Sequence, residues 1–208
     1  MSYEFENIKQ IQENFGAMLK RYIPLSEYEP PKTTNLTIIG ARNFFLEAFP
    51  LRDYFEDKCK ALEITCIDGD GAQTTKARVM HEAYAMSSGS EPVKNILFYP
   101  HNLLYIGPNF RGHKKFDIVV VRNPDMHTDN NWASILGGSF GDTGIGEVMT
   151  PGGLFIGTTT SERDIDALET ATWRPKFKIR IKRKNEYRTL DDEGYSWDNY
   201  VLLSHAPK

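Results

Sequence analysis

The pattern of apolar and polar positions divides the chain into an N-terminal helix followed by alternating strands and helices. In residues 3–22, apolar side chains recur at steps of three and four, which places them on one face of an amphipathic helix. The pair Pro30-Pro31 then prevents that helix from continuing. We predict an accessory helix with a connecting segment over residues 1–32 and a single larger domain over residues 33–208.

Seven stretches after residue 33 have the composition of β-strands. The third and fourth lack polar alternation in their centres, which is typical of parallel strands covered by helices on both faces. The stretches are residues 36–40 (LTIIG), 62–67 (LEITCI), 95–99 (NILFY), 116–121 (FDIVVV), 151–157 (PGGLFIG), 177–182 (FKIRIK) and 200–203 (YVLL). The sixth alternates apolar and basic residues, so we expect one wet face and an antiparallel pairing with the seventh.

Helical periodicity and capping residues predict helices between these strands. They cover residues 43–58, with a bend or interruption near Pro50, residues 74–86, the glycine-rich residues 131–149, and residues 161–173, capped by Ser161 and Asp164. This alternation predicts a three-layer α/β domain with a mainly parallel sheet and an antiparallel C-terminal hairpin.

Composition narrows the classes of function. The formal net charge of −3 argues against a protein built mainly to coat nucleic acid or an anionic membrane. No apolar run approaches the roughly 18 residues of a membrane span, and the start of the chain lacks the pattern of a signal peptide. Cys59 and Cys66 suit reduced thiols, although a disulfide between them is also compatible with the sequence. We expect a soluble, cytoplasmic protein.

Polar residues and glycines follow each of the first five predicted strands. In open α/β sheets, ligands bind beyond the carboxyl ends of the strands. The segments there are Gly40-Ala41-Arg42-Asn43, Asp68-Gly69-Asp70, Pro100-His101-Asn102, Arg122-Asn123-Pro124-Asp125 and Gly157-Thr158-Thr159. Asp68 offers paired acceptors for the two hydroxyls of a ribose. The alternative is that residues 68–71 (DGDG) form only a turn and a helix cap.

Other motifs of catalysis or binding are missing from the sequence. The five histidines are scattered, without the short spacings to Cys or acids that metal sites use, so no metal is expected. Neither a phosphate-binding G-x-x-x-x-G-K-[ST] nor a G-x-S-x-G nucleophile elbow occurs. We interpret the glycine-rich residues 136–146 as a flexible segment that closes over a site.

The order of these elements resembles the class I S-adenosylmethionine-dependent methyltransferases over roughly residues 33–203. The best-matched pieces are the PGGLFIG turn before the fifth strand and the FDIVVV fourth strand. The resemblance implies a Rossmann-like fold and S-adenosylmethionine as the cofactor, with Asp68 on the ribose and His101 or Asn102 near the adenine. The residues implied for cofactor binding are Gly40, Ala41, Arg42, Asp68, Gly69, His101 and Asn102.

The first motif of that family is altered in this chain. The family usually has an acidic residue two positions before its first glycine and further glycines after it. Here those places hold Ile38, Arg42 and Phe44 around the single Gly40. Two alternatives to a methyltransferase therefore stay open: a methyltransferase-like scaffold that acts as a binding protein without the cofactor, and an α/β protein that binds another nucleotide.

The segment after the fourth strand supplies the candidate catalytic residues, Asn123 and Asp125. It resembles the Asn-Pro-Pro-aromatic motif of enzymes that methylate amino groups, but the match stops at Asn123 and Pro124. Asp125 or His127 is a candidate general base. The alternative is an Asn-Pro turn that ends the strand.

A basic stripe occupies residues 174–188. It contains eight basic residues against the single acid Glu186: Arg174, Lys176, Lys178, Arg180, Lys182, Arg183, Lys184 and Arg188. Such a stripe suits RNA or an acidic protein partner. A solvated strand face that discourages edge pairing is the alternative.

Overall fold

A computed structural model describes residues 2–40, 44–100, 115–124, 126–127, 131–138, 144–173, 175–190 and 196–208. The helices are α1 (Ser2–Tyr22), α2 (Ala48–Phe55), α3 (Gly71–Ser88), α4 (Asn131–Gly137) and α5 (Glu162–Trp173). The strands are β1 (Thr33–Ile39), β2 (Ala61–Asp68), β3 (Ile96–Pro100), β4 (Phe116–Arg122), β5 (Met149–Thr159), β6 (Lys178–Lys184), β7 (Thr189–Leu190), β8 (Ser196–Trp197) and β9 (Tyr200–His205).

Seven strands form one mixed sheet in the order β3-β2-β1-β4-β5-β9-β6, and β7 and β8 form a separate small hairpin. The first five strands are parallel, whereas β9 is antiparallel to both β5 and β6. The predicted Rossmann-like sheet, mainly parallel with an antiparallel C-terminal pair, is confirmed. The chain inserts β9 between β5 and β6, so the basic strand β6 lies at the edge.

The central strand β4 shows why three layers form. Every one of its residues is buried, because its side chains alternate between two apolar clusters. Val120 packs with Ile38 on the side of α1, α2 and α3. Val121 packs with Ile39 on the side of α4 and α5. A strand buried on both faces needs apolar residues at successive positions, which is the pattern that the sequence has there.

The helix α1 lies against α2 and buries its apolar stripe in the same cluster as the sheet. Its fully or almost fully buried side chains are Phe15, Met18, Leu19 and Tyr22. The predicted amphipathic helix is therefore confirmed. None of the helices in the described part of the chain has the length and apolar character needed to cross a membrane.

Three local predictions differ from the structure. The helix α2 begins at Ala48, so Pro50 lies in its first turn, where the missing N–H costs no hydrogen bond, and not at a break. Of the predicted helix over residues 131–149, the described residues form the short α4 and a 3-10 turn at Gly144–Glu147, and Met149 already belongs to β5. In β6, an irregularity between Ile179 and Ile181 sends these two side chains toward different clusters, although strict alternation predicts one face.

Candidate functional site

The carboxyl ends of three neighbouring strands bring together residues that the sequence singled out. Gly40 follows β1, Asp68 is the last residue of β2, and Asn123 follows β4. Since β1 lies between β2 and β4 in the sheet, Gly40 is the middle one of the three. Gly69 follows Asp68 and is exposed. The other predicted site residues, Ala41, Arg42, His101, Asn102 and Asp125, lie outside the described residues.

Gly40 occupies a position that strongly favours glycine. Its φ of +88° is in the region that side chains disfavour. A Cβ added there would lie 3.1 Å from Cη2 of Trp132, the second residue of α4. The Gly40 N–H donates to the Ile67 carbonyl over 2.9 Å, which places Gly40 beside the end of β2. The turn after β1 is thus fixed at its first residue and has the Trp132 indole as a wall.

Two phenylalanines further along this turn have left-handed backbones. The φ angles are +52° at Phe44 and +57° at Phe45. The ring nitrogen Nε2 of His81, on α3, lies 3.0 Å from the Phe44 carbonyl and 2.9 Å from the Phe45 carbonyl. Because carbonyls only accept hydrogen bonds, Nε2 carries a proton and donates to both. Burial lowers the pKa of His81 to about 4, so the imidazole is neutral at neutral pH.

The two aspartates of the turn after β2 have different structural roles. The Asp70 carboxylate caps α3 by accepting from the N–H groups of Ala72 and Gln73. The half-buried Asp68 accepts from the Asp70 N–H through Oδ1 over 2.7 Å, which fixes its carboxylate at the end of β2. A carboxylate has about four lone-pair sites, enough to accept several hydrogen bonds. The cap and the candidate ribose ligand are different residues.

Asn123 is a buried structural member of this edge. Its φ is +48°, its side chain is 1% exposed, and its N–H donates to the Thr158 carbonyl on β5. The amide Nδ2 donates to Asp198 Oδ1, and the amide Oδ1 accepts from the Asp198 N–H. Asp198 precedes β9 and also has a left-handed φ, +53°. The two strained residues therefore hold each other through paired hydrogen bonds.

Asp198 is also the main partner of a buried arginine. Arg122, the last residue of β4, donates to both carboxylate oxygens of Asp198, and Thr158 Oγ1 donates to one of them. On its other side Arg122 Nη1 contacts Gln12 of α1 at 3.2 Å and Glu47 at 3.3 Å. Burial alone would lower the pKa of Arg122, but the Asp198 and Glu47 carboxylates raise it, so the guanidinium stays charged.

Glu47 is the least satisfied member of this cluster. Burial raises its pKa, an effect that Arg122 opposes, and its Oε2 is buried without a hydrogen-bond partner. The nearby Gln12 Nε2 is also buried without a hydrogen-bond partner. The neighbouring Cys66 has a raised pKa because of burial and the Glu47 charge, so its thiol stays protonated. The cluster links α1, the turn after β1, and the ends of β4 and β5.

His127 lies on the other side of the same edge, after β4. Its Nε2 is 3.3 Å from Asp164 Oδ1, in the first turn of α5. Asp164 in turn accepts from the Ser161 hydroxyl, and its own N–H donates back to Ser161 Oγ, which confirms the predicted cap. A histidine that contacts a fixed carboxylate has the arrangement of a general base with its orienting group.

The sequence did not indicate that Glu47, His81 and Asp198 lie at this edge, and it placed Arg122 there without a partner. No local spacing connects them, since Arg122 and Asp198 are 76 residues apart and His81 is 37 from Phe44. One signal was available for Arg122: a charge at the end of an otherwise apolar buried strand requires a partner of opposite charge.

The basic stripe is partly neutralised by the chain itself. Lys182 contacts Asp166 and Glu169, Arg180 lies 3.4 Å from Glu27, and Arg183 lies over the Tyr22 ring. Arg174 lies outside the described residues. Within the described part of the chain, no group of three or more His, Cys, Asp or Glu is placed to hold a metal ion.

Comparison with known proteins finds similarity in structure only. No protein-family model matches the sequence, and no curated protein matches it. TrmN from Thermus thermophilus matches with a TM-score of 0.58 and 17% identity, over 91% of this chain and 47% of TrmN. M. capricolum TrmK, in complex with S-adenosylhomocysteine, matches with a TM-score of 0.51 and 12% identity, over 89% of this chain and 67% of TrmK.

A putative O-methyltransferase from Klebsiella pneumoniae matches with a TM-score of 0.54 and 14% identity, over 94% of this chain and 80% of that protein. The chain spans about half the length of TrmN and larger shares of the other two. The strand order and the antiparallel β9 indicate the same fold as these similarities. The chain has the Rossmann-like fold of the class I S-adenosylmethionine-dependent methyltransferases.

Proposed function

We propose that this protein is an S-adenosylmethionine-dependent methyltransferase. The observation that carries the proposal is the placement of Asp68 beside Gly40. The hydrogen bond from Gly40 N–H to Ile67 joins the glycine turn of β1 to the acidic end of β2. In this fold class, such a turn and such a carboxylate together hold an adenosine-containing ligand.

The residues present fit this cofactor. Gly40 has no side chain, so a ligand can approach the backbone at this position. The Asp68 carboxylate, which accepts a hydrogen bond from the Asp70 N–H, offers the acceptor chemistry that a ribose diol needs. We assign Gly69 to the same pocket because it follows Asp68. Ala41, Arg42, His101 and Asn102 complete the proposed cofactor site, by their positions in the sequence alone.

The proposed chemistry depends mainly on positioning. S-adenosylmethionine supplies a methyl group that the positive charge on its sulfur activates. The protein has to hold the acceptor in line with that group and to take up any proton that the acceptor loses. We assign the acceptor side to Asn123 and Asp125, which follow β4. Asn123 would act as a rigid support, because Asp198 bonds both ends of its amide.

Isothermal titration with S-adenosylhomocysteine tests this proposal. Asp68→Asn should weaken binding roughly tenfold or more, because an amide replaces one of the paired acceptors. Asp70→Asn is a matched control, since it makes the same chemical change two residues away, where the side chain caps α3. It should leave the affinity nearly unchanged.

An absence of binding by the unmodified protein at millimolar S-adenosylmethionine and S-adenosylhomocysteine would contradict the proposal. That result would favour the alternative, in which the scaffold acts as a binding or interaction protein. Stabilisation by a dinucleotide, without stabilisation by S-adenosylmethionine, would favour a protein that binds another nucleotide.

The proposal extends to location and partners. We propose that the protein is cytoplasmic, because Cys59 and Cys66 are free thiols and the cytoplasm keeps thiols reduced. Lys178 and Lys184 of β6 are exposed and keep the basic stripe a candidate surface for RNA or an acidic partner. A salt-dependent shift of an RNA oligonucleotide, weakened by Lys184→Glu, would support the RNA choice.

A further inference from the structure

The turn after β1 has a conformational cost that its sequence does not explain. Phe44 stands at one of the two places where the methyltransferase resemblance implies a further glycine, and its φ is nevertheless glycine-like. A left-handed backbone costs an ordinary residue roughly 1–2 kcal/mol, and Phe45 carries the same cost. Two adjacent left-handed phenylalanines persist only when their surroundings hold them there.

His81 supplies the side-chain hydrogen bonds that hold this conformation. Its Nε2–H donates to both the Phe44 and the Phe45 carbonyls, at 3.0 and 2.9 Å. The ring is 7% exposed and is packed between Phe49 and Phe98, with centroid distances of 5.1 and 5.2 Å. The donor is therefore fixed by aromatic packing, and its direction does not depend on a mobile side chain.

The phenylalanine side chains are held as well. Phe45 is fully buried in the cluster on the side of α1, α2 and α3. The Lys76 ammonium lies 4.8 Å from the centre of the Phe44 ring. The turn is consequently anchored at two points: Gly40 is bonded to β2, and the Phe44–Phe45 pair is bonded to α3.

We propose that His81 is a positioning residue for cofactor binding, which holds Phe44 and Phe45, after β1, in their left-handed conformation. This inference rests on the proposed function. It implies that a residue other than glycine at position 44 is compatible with S-adenosylmethionine, because the hydrogen bonds from His81 hold the strained backbone there. His81 touches the turn and not the ligand, so its removal lowers affinity by lowering the fraction of molecules in the binding conformation.

The test compares the dissociation constant of S-adenosylhomocysteine for four proteins at neutral pH. His81→Phe removes the donor and keeps an aromatic ring of similar size. Phe44→Gly is added to His81→Phe to relieve the strain that the clamp opposes. Ile64→Val, a buried change in β2 on the same side of the sheet, is the control for a general loss of stability. Circular dichroism verifies that each protein is folded during the titration.

We expect His81→Phe to weaken binding roughly tenfold or more, and Phe44→Gly to restore most of the loss. Ile64→Val should bind like the unmodified protein. An unchanged affinity in His81→Phe, or a loss that Phe44→Gly does not restore, overturns the positioning role while the proposed function stands. If the unmodified protein does not bind, both proposals fall. His81→Leu, which also removes the N–H donor, gives the same comparison if His81→Phe does not fold.

Discussion

The buried ion pair of Arg122 and Asp198 leads to a sharp prediction for the change Asp198→Asn. This substitution keeps the size of the side chain and removes its charge. It does not introduce backbone strain, because asparagine adopts a left-handed φ at least as readily as aspartate. Any loss of stability therefore reports on the electrostatics and hydrogen bonds of the site.

The expected loss of unfolding free energy is about 3–5 kcal/mol, the usual cost of leaving a buried charge without its partner. Asp198 accepts from Arg122, Asn123 and Thr158, all of them buried. An amide has one oxygen and turns two N–H donors toward these donors, so at least one bond becomes a donor–donor contact. Glu47, which also contacts Arg122, limits the loss because it can compensate part of the charge.

Urea unfolding followed by fluorescence measures this change. With a slope of about 2 kcal/mol per molar urea, the midpoint should fall by roughly 2 M. Asp166→Asn is the matched control, because Asp166 pairs with Lys182 at the exposed surface and should lose less than about 1 kcal/mol. Equal losses in the two variants would refute the reasoning.

Three further changes follow from the structure. The pKa of His81 is lowered from 6.5 to about 4, so the unfolded chain binds more protons than the folded one between these pH values. The free energy of unfolding should therefore fall by roughly 3 kcal/mol as the pH drops from 6.5 to 4. His81→Phe should lack this pH-dependent loss. Gly40→Ala should destabilise by about 2–4 kcal/mol in thermal unfolding, because of its φ and its contact with Trp132, and a loss under 1 kcal/mol would contradict this. Ser161→Ala should cost about 1 kcal/mol by removing the cap of α5, whereas a neutral effect would show that Asp164 holds the helix start alone.

The sequence was sufficient for the sheet because its signals are local. The FDIVVV run predicts a strand buried on both faces, and β4 is that strand. The antiparallel end could be predicted from the basic alternation of β6 followed by β9, although the bulge in β6 could not, because no turn residue marks it. The start of α2 was misplaced because a proline in a first turn and a proline at a break give the same pattern.

Only part of the candidate site could be predicted from the sequence, for a related reason. Gly40, Asp68 and Asn123 could be predicted because the position after a parallel strand is a local property. In the sequence, Glu47 is one polar residue of a predicted helix, and Asp198 lies between the last two predicted strands. Their roles depend on a contact with Arg122 that forms only when the sheet is assembled. Pairings between distant residues leave no periodic signal in one sequence.

The distribution of backbone strain explains what these distant pairings do. Seven residues other than glycine have a positive φ in the described part of the chain, and Phe44, Phe45, Asn123 and Asp198 lie at the carboxyl edge of the sheet. Each of the four is held by a side-chain hydrogen bond, through His81 for the first two and through the mutual Asn123–Asp198 bonds for the others. Because these hydrogen bonds hold the strained residues in place, the carboxyl edge of the sheet favours one conformation before a ligand binds. Loss of the His81 bonds should therefore weaken binding, whereas a core change such as Ile64→Val should weaken the fold and leave binding unchanged.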